Sequence, residues 1–192
     1  RLSRTPDITS NVALARHVPG HPNMPPSARV GGECKDRVVE VVEFSEHLAR
    51  LVCSWHYDPP FDVYNTPDFG HAHEAGWAIA MPATRAEQFR GIASNGSLIG
   101  FFRVSCRDGR LLLGVGMDPA LTGSGLGREF MEAVLADVTA RFAGQRIEAE
   151  VRPFNERALR CYRSAGFVDA GARTIHPLGE DVAVLVMALQ LG

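Results

Sequence analysis

Apolar and polar positions follow two rhythms along this chain. The run Arg37–Phe44 is β-branched and reads as a strand. Ser45 suits the N-cap of a helix reaching about Trp55. Arg85–Ser94 reads as a strand ending at Asn95-Gly96, the dipeptide of a tight hairpin. Ser97–Ser105 follows as its partner, Arg107-Asp108-Gly109-Arg110 turns the chain again, and Leu111–Met117 makes a third strand. Residues 85–117 therefore predict an antiparallel meander. The rhythm then changes. Pro119–Gly127 is a glycine-rich loop, and Arg128–Phe142 carries apolar residues at 130, 131, 134, 135, 138 and 142, one stripe at helical period. Gln145–Val151 is a strand. Asn155–Ala165 is a helix stopped by Gly166, and Phe167–Thr174 and Asp181–Leu189 are two closing strands. This order predicts an α/β fold with a mixed, mostly antiparallel central sheet flanked by helices.

Composition narrows the function. The 192 residues carry a formal net charge of −2, with 45% apolar and 22% charged side chains, ordinary values for a soluble domain. No basic excess points to nucleic acid or an anionic membrane, and no stretch of 18 apolar residues spans a bilayer. Of the 20 basic residues only Lys35 is a lysine, the rest being arginine. Residues 1–36 hold prolines at 6, 19, 22, 25 and 26 without sustained periodicity, and read as a flexible tail or arm before a domain at 37–192. Cys34, Cys53, Cys106 and Cys161 are far apart and lack a CxxC pair, as expected of reduced thiols in a cytoplasmic protein. His71-x-His73 has no evident third partner, so no metal is expected.

The segment Met117-Asp118-Pro119-Ala120-Leu121-Thr122-Gly123-Ser124-Gly125-Leu126-Gly127-Arg128 carries the most chemistry. Alternate glycines let successive N–H groups turn into one cavity, and a helix starting near Gly127 adds its unpaired amides and positive dipole end. Together these suit a phosphate or pyrophosphate. The Walker spacing is absent, and GxGxG is not the dinucleotide GxGxxG. The segment resembles the V-x-P-x-x-[QR]-G-x-G-x-[GA] loop of the GCN5-related N-acetyltransferases, with Thr122 standing where Gln or Arg is usual. A second stretch resembles the same family's V-x-x-x-N-x-x-A-x-x-x-Y-x-x-x-G-F signature, with Val151, Asn155, Ala158, Tyr162, Gly166 and Phe167 in place.

The resemblance implies acetyl transfer from acetyl-CoA to a primary amine in a ternary complex, and assigns roles. Tyr162 is the expected acid for the departing thiolate and Glu150 the expected base, with Glu148 or water as alternatives. Strand alternation puts Glu148 and Glu150 on one face, where a shared cleft would raise one carboxyl toward a useful range. Backbone at Val115, Gly116 and Met117 is expected to pair with the pantetheine arm as an added strand, the Met117 N–H being a candidate oxyanion donor. Gly123, Ser124, Gly125, Leu126, Gly127 and Arg128 are expected to hold the pyrophosphate. Asn155 is expected to bond pantetheine, to cap its helix, or both. The aromatic, proline-broken segment 55–65 reads as a loop that starts a short helix, with Trp55, Tyr57 and Tyr64 facing the acceptor. The expected acceptor is a small-molecule amine. A protein N-terminus is the alternative, because Glu150-Val151-Arg152-x-x-Asn155 resembles the ribosomal-protein alanine acetyltransferases. A non-catalytic acyl-CoA-binding regulatory module, and a homodimer, also remain open.

Overall fold

The computed structural model describes residues 38–192, so the predicted tail at 1–36 lies outside the described residues. Seven strands occur: β1 (Val39–Glu43), β2 (Phe89–Ser94), β3 (Ser97–Arg107), β4 (Arg110–Met117), β5 (Arg146–Val151), β6 (Val168–Ile175) and β7 (Val182–Gln190). The helices are α1 (Glu46–Cys53), α2 (Phe69–Glu74), α3 (Pro82–Gln88), α4 (Gly127–Phe142) and α5 (Glu156–Ser164). All seven strands join one sheet in the order β1-β2-β3-β4-β5-β7-β6. Every pairing is antiparallel except β4 with β5.

Local chemistry explains most boundaries. Asn95 and Gly96 have φ of 51° and 77°, and Asp108 and Gly109 have 51° and 73°. Positive φ at both central residues is what a two-residue hairpin with the strands' own twist requires. Ser45 accepts from the Leu48 N–H and caps α1. The predicted strand at Arg85–Ser94 is half wrong: residues up to Gln88 are helical, and β2 begins at Phe89. Pro82 stands at the first position of α3, where its missing N–H does no harm, and the residues after it favour helix. The buried Arg85 guanidinium then donates to the carbonyls of Ile79 and Ala80, at 3.1 Å each, and ties the helix to the turn before it.

The sheet is covered on both faces. Against α4 and α5 lie Phe102, Leu113, Phe130, Met131, Ile147, Leu159 and Tyr162. The helices α1 to α3 pack on the opposite face, over Phe44, Val52, Trp77, Ile79, Phe89 and Phe101. Each such fully buried side chain contributes roughly 1.5–3 kcal/mol relative to exposure. Among the described residues no helix is long and apolar enough to cross a membrane.

Candidate active site

The parallel pair β4–β5 is short. Only Leu111↔Ile147 and Leu112↔Glu148 are in register, after which the strands part. Asp118 donates its N–H to the Ile99 carbonyl, which makes that pair hydrogen-bonded. Alternation along β3–β4 then turns the amides and carbonyls of Leu113, Val115 and Met117 away from β3 and into the split. Two side chains already use this edge. Tyr57 donates its hydroxyl to the Met117 carbonyl at 2.7 Å, and the Tyr162 hydroxyl reaches the Leu113 carbonyl at 3.5 Å. The same alternation directs the Gly116 amide and carbonyl to β3. Gly116 was expected to pair with a pantetheine arm, but its contribution is space: a Cβ there would collide with the Phe101 ring directly opposite.

A cleft of about 980 Å³ runs through the split, lined by residues from both faces of the sheet. At one end lies the glycine loop. Gly123 and Gly125 have φ of 83° and 87°, a region closed to most side chains. The Thr122 and Ser124 hydroxyls turn back onto the carbonyls of Pro119 and Leu121, at 2.7 and 2.6 Å. What the loop offers outward is therefore backbone. Leu126 gives α4 no side-chain cap, so the first-turn amides, including those of Gly127 and Arg128, face the cleft's end. Arg128 itself is 85% exposed and pairs with Glu132 at 2.9 Å.

Tyr162 and Glu150 lie on opposite faces. Tyr162 is buried among the core residues under α4 and α5, packed edge-on against Phe167, and burial pushes its phenol well above the ordinary range. On β5, Ile147, Ala149 and Val151 belong to that same core, so Glu148 and Glu150 point to the other face. Only Glu150 lines the cleft, and its side chain is 5% exposed. Arg107 bonds its Oε1, and Arg173 lies 3.4 Å from the same oxygen. Glu148 pairs with Arg146 and Arg173 and borders a separate shallow pocket beside Arg110. The expected pair of carboxylates sharing one cleft is thus not formed. The Arg173 guanidinium from β6 stands between them, and Arg107 from β3 engages Glu150 as well.

The aromatic segment closes the far side. Asn65 clamps Tyr57 by its backbone, accepting from its N–H at 2.7 Å and donating to its carbonyl at 3.1 Å. Burial pushes the Tyr57 phenol upward. Residues Phe61–Tyr64 form one 3-10 turn that docks on the β5–α5 corner: Phe61 and Tyr64 meet Phe154, and Arg157 lies 4.6 Å over the Phe61 ring. Asn155 serves two partners, accepting from the Ala158 N–H at 3.0 Å as the α5 cap and donating to the Tyr64 hydroxyl at 3.1 Å. Trp55 packs against Phe101, with ring centroids 6.0 Å apart.

The family model described as acetyltransferase (GNAT) family matches residues 49–167, which include the split, the glycine loop and α5. The chain belongs to this family. N-alpha-acetyltransferase RimI of Mycobacterium tuberculosis is 36% identical over 98 residues, which cover 47% of this chain and 58% of that protein. The chain therefore spans little more than half the length of that curated relative. Among solved structures, yncA from Salmonella typhimurium with its cofactor acetyl-CoA has a TM-score of 0.59 at 16% identity, covering 80% of this chain and 94% of its own. Aminoglycoside acetyltransferase AAC(6')-Ib in complex with coenzyme A has a TM-score of 0.62 at 20% identity, covering 80% and 95%. At these identities the structural likenesses speak to the fold.

Within this GNAT chain the structure gathers Val115, Met117, the glycine loop, Asn155, Tyr162 and Glu150 around one cleft, with Trp55, Tyr57 and Tyr64 on its lining. Sequence reasoning missed Arg107 and Arg173 beside Glu150, and Phe89 and Phe101 in the far wall. For Phe101 a signal existed. Once the turn sits at Asp108-Gly109, counting back along the hairpin puts Phe101 opposite Gly116. The two arginines gave no comparable signal, since β3 reaches Glu150 only across β4, and β6 only across β7.

Proposed function

We propose that this chain transfers an acetyl group from acetyl-CoA to a primary amine of a small molecule, by direct attack. One observation carries the reading: the β4–β5 split joins two faces of different chemistry. One face presents the amides of Gly123, Gly125 and the first turn of α4, suited to a pyrophosphate, with Arg128, Arg157 and Arg160 on the same lining. The other face presents Glu150 and an aromatic wall. The exposed edge of Val115 and Met117 between them suits an extended amide-bearing arm.

In this reading the neutral amine nitrogen attacks the thioester carbonyl carbon and the C–S bond breaks. Glu150 takes the amine proton on Oε2, its Oε1 being held by arginine. Tyr162, kept protonated by burial, gives its proton to the sulfur. The Met117 N–H stands at the edge where an oxyanion would form. A second reading, a protein N-terminus as acceptor, is supported by the RimI likeness and the Glu150–Asn155 resemblance. A thiol-release assay with acetyl-CoA over small amines and short peptides decides between them. Thiol release with peptides alone would overturn the small-molecule acceptor.

A further inference from the structure

The acceptor side of the cleft has a composition of its own. Val52, Trp55, Phe89 and Phe101 line it. The Phe101 ring stands between the other two, with centroids 6.0 Å from Trp55 and 6.2 Å from Phe89. Beneath is β4, whose Gly114 and Gly116 fall on this face, the Phe101 ring filling the space that a side chain on Gly116 would need. The result is an aromatic wall whose Phe101 ring reaches the backbone of β4.

Among the described residues, carboxylates are few on this side. The carboxylates among the cleft-lining residues are Glu132 and Glu150. Glu132 sits on α4, at the glycine-loop end, and is bonded to Arg128. Glu150 is engaged by Arg107 and Arg173. A polycation entering here would give up water for aromatic rings and meet one carboxylate already paired, which is unfavourable. A flat apolar group would bury its faces against the rings and need only one polar contact, for its amine.

We infer that the acceptor is a primary amine borne on an apolar, ring-sized skeleton, seated against Trp55 and Phe101, with Trp55 setting the preference. This rests on the acetyl-transfer reading above. The test uses the full chain at saturating acetyl-CoA with three acceptors: 2-phenylethylamine, spermidine and a tetrapeptide beginning with alanine. The expected kcat/KM for 2-phenylethylamine exceeds that for each of the others by about tenfold or more. Trp55→Ala raises KM for 2-phenylethylamine about tenfold, and Trp55→Phe restores most of it. A thermal shift with acetyl-CoA checks that each variant is folded. Equal or better turnover of spermidine or the peptide overturns the inference, as does a Trp55→Ala effect that is the same for all three acceptors. No thiol release with any amine, while acetyl-CoA still raises Tm, overturns the acetyl-transfer reading itself, so the two failures are told apart.

Discussion

Removing one oxygen atom, in Tyr162→Phe, separates chemistry from packing at this site. The hydroxyl's bond to the Leu113 carbonyl is long, 3.5 Å, so its loss costs below about 1 kcal/mol. The edge-on packing on Phe167, with centroids 5.0 Å apart, survives in the variant. For a domain of this size such a loss lowers Tm by no more than about 2–4 °C. The catalytic loss is larger. A positioned general acid contributes about 10²–10⁴-fold, and a thiol is a fair leaving group, so the low end applies: kcat falls on the order of 100-fold. Single-turnover thiol release at saturating acetyl-CoA reads this directly, and calorimetric titration with acetyl-CoA reads binding, which stays within about threefold. Burial raises the phenol, so it remains protonated through neutral and mildly alkaline pH, and loss of this acid gives kcat no falling limb below about pH 10. A kcat within twofold of the unmodified chain would refute the acid role. So would a fall matched by an equal loss of acetyl-CoA affinity, since Tyr162 would then be a binding residue.

Other expectations follow from the same geometry. Glu150→Gln lowers kcat/KM on the order of 100-fold at a fixed neutral pH; an unchanged value sends the amine proton to water instead. Gly125→Ala forces an L side chain into φ of 87°, at about 1–2 kcal/mol, so Tm falls by about 2–8 °C although the added Cβ meets open space, and acetyl-CoA affinity drops about tenfold. Calorimetric titration checks this, and unchanged affinity would remove the loop's amides from the binding site. Tyr57 and Tyr162 both have phenols raised by burial, so the unfolded chain ionises first. Their contribution is fully present below about pH 10 and is lost as pH rises beyond it; urea midpoints at pH 8 and 10.5 measure the fall, which shrinks in the double Phe variant.

Much of this molecule is legible in its sequence because the signals are short-range. Asn95-Gly96 and Asp108-Gly109 each set a hairpin register through their own φ values. The stripe from Phe130 to Phe142 specifies α4, and Asn155 reads correctly as the α5 cap. The glycine loop is likewise a local object, since Gly123 and Gly125 need only their own positive φ to expose amides. Pro82 is an equally local signal, marking the first turn of α3.

The sequence by itself determined most strands, the helices α1, α4 and α5, the two hairpin registers and the phosphate-suited loop, because turn chemistry and side-chain period act within a few residues. Tertiary structure alone decided that β4 and β5 part after Leu112 and Glu148, opening one face of the sheet to the other. It also decided that Glu150 meets arginines from β3 and β6 rather than Glu148. Those outcomes depend on which strands lie side by side in β1-β2-β3-β4-β5-β7-β6, and residues 43 apart, such as Arg107 and Glu150, carry no local mark of the neighbour they will find.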